Sequence, residues 1–133
     1  MSRATHESAF FRVAALPVRE LAHGIRLRSV ELATLMMTFV EYPEGSVVPT
    51  HFHPHEQITY VLEGCLEVVV GDQQRLLGPG DGVRIPPNAE HSSRPVDGPA
   101  RALDAWTPVL ERFRVVPHAT PGSTVPIDDG SIT

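Results

Sequence analysis

The chain has 133 residues, eleven basic and sixteen acidic, and a net charge of −5 with neutral histidines. That length fits one domain able to bury about two thirds of its unfolded surface, and the negative balance gives no electrostatic basis for binding nucleic acid or an anionic membrane. All eleven basic residues are arginine, so no lysine can form a Schiff base or act as a general base, which excludes pyridoxal and lysine-aldolase chemistry. In chain order, residues 1–9 are polar and read as a flexible N-terminal arm. Gly24 to Glu31 alternates apolar and polar and predicts a strand. Ala33 to Tyr42 is apolar on both faces and predicts a strand covered on both sides. Pro43-Glu44-Gly45 is a turn, followed by strands over Val47 to His53 and Gln57 to Leu62. Cys65 to Val70 and Gln73 to Leu77 flank Gly71-Asp72, a hairpin signal. Further strands are expected over Val83 to Pro86, Glu90 to Arg94, Ala100 to Trp106 and Arg112 to Val116. Eight to ten short strands with regular turns indicate one all-β domain, a sandwich or jelly roll, over 10–116. The stretch 117–133 is rich in Pro, Gly, Ser, Thr and Asp. Its composition is that of a flexible tail, although a tail packed on the domain is an alternative. No apolar run reaches the ~20 residues of a membrane span, Met1 to Glu7 lacks a signal-peptide core, and Cys65 is the only cysteine. The expected location is cytoplasmic.

Three histidines and a glutamine carry the chemistry. His51 and His53 are two residues apart, so on a strand both imidazoles point the same way. Gln57 follows four residues later, and His91 closes a second stretch that begins Pro79-Gly80-Asp81. Neutral imidazole is the commonest protein ligand for Zn, Ni, Cu and Fe(II). Three imidazoles and an amide oxygen add no negative charge, so a bound ion keeps its full +2 and acts strongly as a Lewis acid. A glutamate at position 57 would be expected to hold the ion tighter. Glu56 has the opposite parity and should point to the other face, as should Tyr60. His55 follows the alternation-breaking Pro54 and reads as a surface residue or a support for the ligands. Asp104 and Trp106 share one face of their strand.

These stretches resemble the two motifs of the cupin superfamily. The first runs Gly45, five residues, His51-x-His53, three residues, Gln57, six residues, Gly64. The second runs Pro79-Gly80-Asp81, a strand, Pro86-x-Asn88 and His91. Gln57 stands where most cupins have glutamate. The text from His51 to Gly64 is similar to the small pectin-degradation-type cupins, which act on unsaturated uronates, and the resemblance extends over roughly residues 16–110. It implies a single-domain cupin jelly-roll β-barrel that binds one divalent metal (Ni, Zn, Mn, Fe or Cu) through His51, His53, Gln57 and His91. It also implies a homodimer acting on a small-molecule substrate. In that group the strand matching Ala100 to Trp106 ends Asp-x-Phe-Ser-Pro-x-Arg, with Asp, aromatic and Arg in the pocket. Asp104 and Trp106 therefore carry over as proton carrier and pocket wall. The arginine does not: Leu110 takes its place, Arg112 is displaced by two, and Arg26, Arg28, Arg84 and Arg101 are substitutes without ranking. The expected activity is lyase or isomerase chemistry through a stabilised enolate. A dioxygenase using Fe or Cu and O2, and a non-catalytic binding cupin, are the alternatives.

Overall fold

A computed structural model describes residues 8–114 and 124–126. Eleven strands are present among these: β1 Val18–Glu20, β2 Arg26–Glu31, β3 Met36–Tyr42, β4 Val48–His51, β5 Glu56–Glu63, β6 Leu66–Val70, β7 Gln73–Leu77, β8 Gly82–Ile85, β9 His91–Pro95, β10 Ala100–Thr107 and β11 Thr124–Pro126. They form two sheets, one ordered β11-β1-β2-β3-β10-β5-β8 and the other β4-β9-β6-β7. Pairing is antiparallel except between β1 and β11, which run parallel. Among the described residues no ladder joins the two sheets, so they form a two-sheet all-β sandwich that fits a jelly roll without closing into a barrel.

Period-two alternation builds the core. On β3, Met36, Thr38, Val40 and Tyr42 are buried while the residues between them are half-exposed. On β5, Gln57, Thr59 and Val61 point inward and Glu56, Ile58 and Tyr60 outward. Leu27, Val40, Val61, Leu66, Val68 and Trp106 meet between the sheets. Burial of such side chains contributes about 1.5–3 kcal/mol each. Between β4 and β10 the chain repeatedly crosses from one sheet to the other, so neighbours in sequence end on facing walls. That crossing sets the site: His51 and His91 lie on the four-stranded sheet, Gln57 on the seven-stranded one, and His53 in the link between β4 and β5.

The strand expected over Arg112 to Val116 is not formed in its described part. Glu111–Phe113 is a 3-10 turn, and Phe113 is pulled into the core beneath Trp106, with ring centroids 6.4 Å apart. Of the tail, Thr124–Pro126 adds a strand to the sheet edge beside β1; its other residues lie outside the described ones, as do residues 1–7 of the N-terminal arm. Three glycines of the motifs, Gly45, Gly64 and Gly80, have positive φ. Gly64 also passes so near the Pro99 carbonyl that a Cβ there would collide with it.

Candidate metal centre

His51 and His91 are directly opposed on β4 and β9, with ring centroids 4.2 Å apart. His53 has left the strand, yet its ring lies 5.5 Å from that of His51 and 4.9 Å from that of His91. One ligand nitrogen from each of the three lies within 4.8 Å of the others. All three histidines are buried, as are Gln57, Asp104 and Trp106.

The tautomers are set locally. Nδ1–H of His51 donates to the Pro49 carbonyl and Nδ1–H of His91 to the Ala89 carbonyl, each at 2.8 Å. Both Nε2 atoms therefore carry a bare lone pair, and that of His91 is buried without a partner. Buried polar atoms without partners are costly and call for an explanation, and a cation supplies one here. A backbone carbonyl holding the far ring nitrogen is the usual support for an imidazole ligand. Burial lowers the pKa of all three imidazoles, and their mutual repulsion adds to this. They are thus kept in the neutral, ligating form. His53 Nε2–H donates to Gln57 Oε1 at 3.1 Å, so these two atoms face each other. The donor set fits a divalent metal.

Behind this face lies a polar rung. Asp104 is opposite Thr38 on one side and Thr59 on the other. Thr38 donates to Asp104 Oδ2 at 3.2 Å and Thr59 to Oδ1 at 2.5 Å. Gln57 Nε2 donates to Thr59 at 2.9 Å and reaches Asp104 Oδ1 at 3.5 Å. The Trp106 indole donates to Thr38 at 3.0 Å. Burial pushes the Asp104 carboxyl up to about 6, against the opposing effect of its three donors. His51, Gln57, His91, Asp104 and Trp106 line an interior cavity of about 50 Å³, which Tyr42 and Leu66 also border. An open groove of about 1130 Å³ spans both sheets beside β8 and reaches Gln57, Thr59 and Trp106.

Glu56 is exposed, as its parity required. His55 is half-buried, its ring 5.4 Å from that of His53 and 6.4 Å from that of Trp106, so it backs the ligands. Tyr60 lies on the outer face. None of the four arginines proposed to replace the one absent at Leu110 lines the cavity. Arg26 and Arg28 pair with Glu41 and Arg101 pairs with Glu63, while Arg84, exposed on β8, lines the open groove that reaches Gln57 and Trp106. Burial is the main cause of the lowered His51 pKa, and the charge of Arg112 is the smallest of its contributions. Leu110 is packed in the core. The two threonines escaped the sequence reading, although Thr59 shares parity with Gln57.

The cupin domain family matches residues 38–106, and the chain belongs to that family. It is 31% identical over 99 residues to the pectin degradation protein KdgF of Dickeya dadantii, covering 73% of this chain and 90% of that protein. It is 38% identical over 85 residues to the dimethylsulfoniopropionate lyase DddQ of Ruegeria pomeroyi, covering 62% of this chain but only 42% of the lyase. The structure of KdgF from Halomonas sp. superposes with a TM-score of 0.75 at 26% identity, covering 80% of this chain and 100% of that one. These relatives bear out the resemblance to the pectin-degradation-type cupins.

Proposed function

We propose that this cupin is a metal-dependent enzyme of the lyase or isomerase type acting on a small oxygenated substrate. His51, His53, Gln57 and His91 hold the ion, and Asp104 carries the proton. One observation supports this reading above others: a buried carboxyl with a pKa raised to about 6 borders the same cavity as the bare imidazole nitrogens. A divalent ion in this neutral donor set, whether Ni, Zn, Mn, Fe or Cu, supplies Lewis-acid stabilisation of negative charge developing on a carbonyl, enol or hydroxyl oxygen. Asp104 is mostly ionised at neutral pH and accepts three hydrogen bonds. That leaves about one of its four acceptor sites for a substrate proton. A pKa near the working pH is what general acid–base transfer requires. Trp106 forms an apolar wall of the cavity.

The names of the two relatives, one a pectin degradation protein and one a lyase, favour the same class. The two sheets are read as the halves of a jelly-roll barrel, and a second copy of the chain is placed on the outer face of the larger sheet. The deciding experiment begins with elemental analysis of protein purified without added metal. A panel of unsaturated uronates and small oxo-acids is then assayed with wild type and Asp104→Asn. With metal supplied at saturating concentration, the Asn variant should lose about a hundredfold or more in kcat. Wild-type kcat with metal intact would remove Asp104 from the mechanism. Oxygen uptake by the Fe- or Cu-loaded protein would replace the lyase reading with a dioxygenase.

A further inference from the structure

We propose that Thr59 and Asp104 act as positioning residues that fix the polarity of the Gln57 amide, and that Asp104 is the reason position 57 carries a neutral ligand. A carboxylate accepts only, and an indole N–H donates only. Thr38 receives the Trp106 N–H, so its own proton goes to Asp104 Oδ2. On the other side, the Thr59 oxygen lies 2.5 Å from Asp104 Oδ1, a contact that requires the hydroxyl proton between them. Thr59 is left with lone pairs alone. The Gln57 atom 2.9 Å from Thr59 must therefore be the NH2 nitrogen, whose second hydrogen is directed at Asp104 Oδ1. That leaves Oε1 with a single direction, toward His53. The amide cannot flip without setting its oxygen against an oxygen with no proton to give.

A glutamate at 57 meets that same conflict. Its second oxygen would replace the NH2, facing a Thr59 whose proton is committed and a carboxylate 3.5 Å away, with both residues buried. Buried acceptors without donors are costly, and two carboxylates sharing a dry site repel. The expectation from ligand charge alone, that glutamate at 57 tightens the metal, is therefore reversed in this chain. It should return once Asp104 becomes asparagine, whose NH2 can supply the donor that Gln57 gave up.

The metal arm of the test rests on the site proposed above, while the arm without metal does not. Gln57→Glu, Asp104→Asn and the double variant form one cycle; Thr59→Val and Thr59→Ser form a second series. Each is measured for melting temperature without metal and for Zn(II) and Ni(II) affinity by titration. Gln57→Glu alone should lower the metal-free melting temperature by about 5 °C or more and gain no affinity. Adding Asp104→Asn should recover most of that loss, and the double variant should bind metal more tightly than Asp104→Asn alone. Thr59→Val should weaken metal about tenfold, the usual scale for a group supporting a ligand, and Thr59→Ser should keep wild-type affinity. Equal effects of Gln57→Glu in both backgrounds, or an affinity unchanged in Thr59→Val, would overturn the relay. Should Gln57→Glu fail to fold, the threonine pair decides alone. Should wild type bind neither ion, the metal reading falls and the metal-free cycle still decides the relay.

Discussion

His51 and His91 use one local device, a ring N–H donated to the carbonyl two residues earlier. Because that bond is made within the residue's own neighbourhood, each imidazole is aimed without help from a metal. Replacing His51 or His91 by alanine should remove the metal and leave the fold, since the core is built from other residues. Elemental analysis with circular dichroism checks this, and full metal retention in both variants would refute the site. The same residues set a pH dependence in the metal-free protein. All three imidazoles have pKa values lowered by burial. Below about 6.5 the unfolded chain binds protons that the folded chain refuses, so stability falls as pH falls through that value. Asp104 works in the other sense. Its carboxyl is raised from 3.8 to about 6, so between those values the folded chain binds the extra proton and gains stability as pH falls. Asp104→Asn removes the opposing group. Urea unfolding of that variant should show stability decreasing steadily from about pH 7 to 5 and more steeply than wild type. A flat profile would mean the imidazoles are not desolvated as described.

At the scale of elements, the turns decide where the ligands arrive. Gly64 ends the β5 segment with φ of 78° against the Pro99 carbonyl and Ala100. Gly64→Ala adds a Cβ to both a left-handed backbone and a collision with main chain. It should cost about 1–3 kcal/mol or more, read as a lowered denaturant midpoint; a change below about 0.5 kcal/mol would show that β5 and β10 can separate there. The strands were legible in the sequence because most are long enough to alternate, and the parity that buries Gln57 and exposes Glu56 follows from the text alone. Other features were not. Val18–Glu20 is too short to show a period and is held by pairing with distant partners. His53 was expected on a strand with His51. It instead sits in the crossing segment, where Asn88 N–H donates to its carbonyl at 2.7 Å. The rung Thr38–Asp104–Thr59 joins residues up to 66 apart in sequence. Its members could be seen to face inward, but the register that makes them neighbours is a tertiary fact. Arg112 was displaced from the family position in the text, and its charge is the smallest contribution to the lowered His51 pKa.

For the whole molecule, the outer face of the larger sheet bears on assembly. Ile58, Tyr60 and Leu62 are 54%, 45% and 37% exposed along one side of β5. Leu103 and Ala105 of β10 lie beside Tyr60 and Ile58 in register. A contiguous apolar face of this kind marks an interaction surface. It is flanked by Glu56 on β5 and Arg84 opposite Ile58 on β8, both exposed and, among the described residues, without an ion-pair partner. One cation and one anion offset along the same face are self-complementary under a twofold axis, where each meets the other's counterpart. The proposed second copy of this chain would meet the face in charge as well as polarity. A stable pair needs about 800 Å² buried per partner. Sedimentation velocity at micromolar concentration should give a dimer for wild type. Ile58→Asp combined with Tyr60→Asp should give a monomer, because like charges would then meet across the axis. Gln57 and Thr59 point to the opposite face from these positions, so the monomer should keep wild-type metal affinity. A wild-type monomer would reject the interface, and a dimer unaffected by the double substitution would move it to another face.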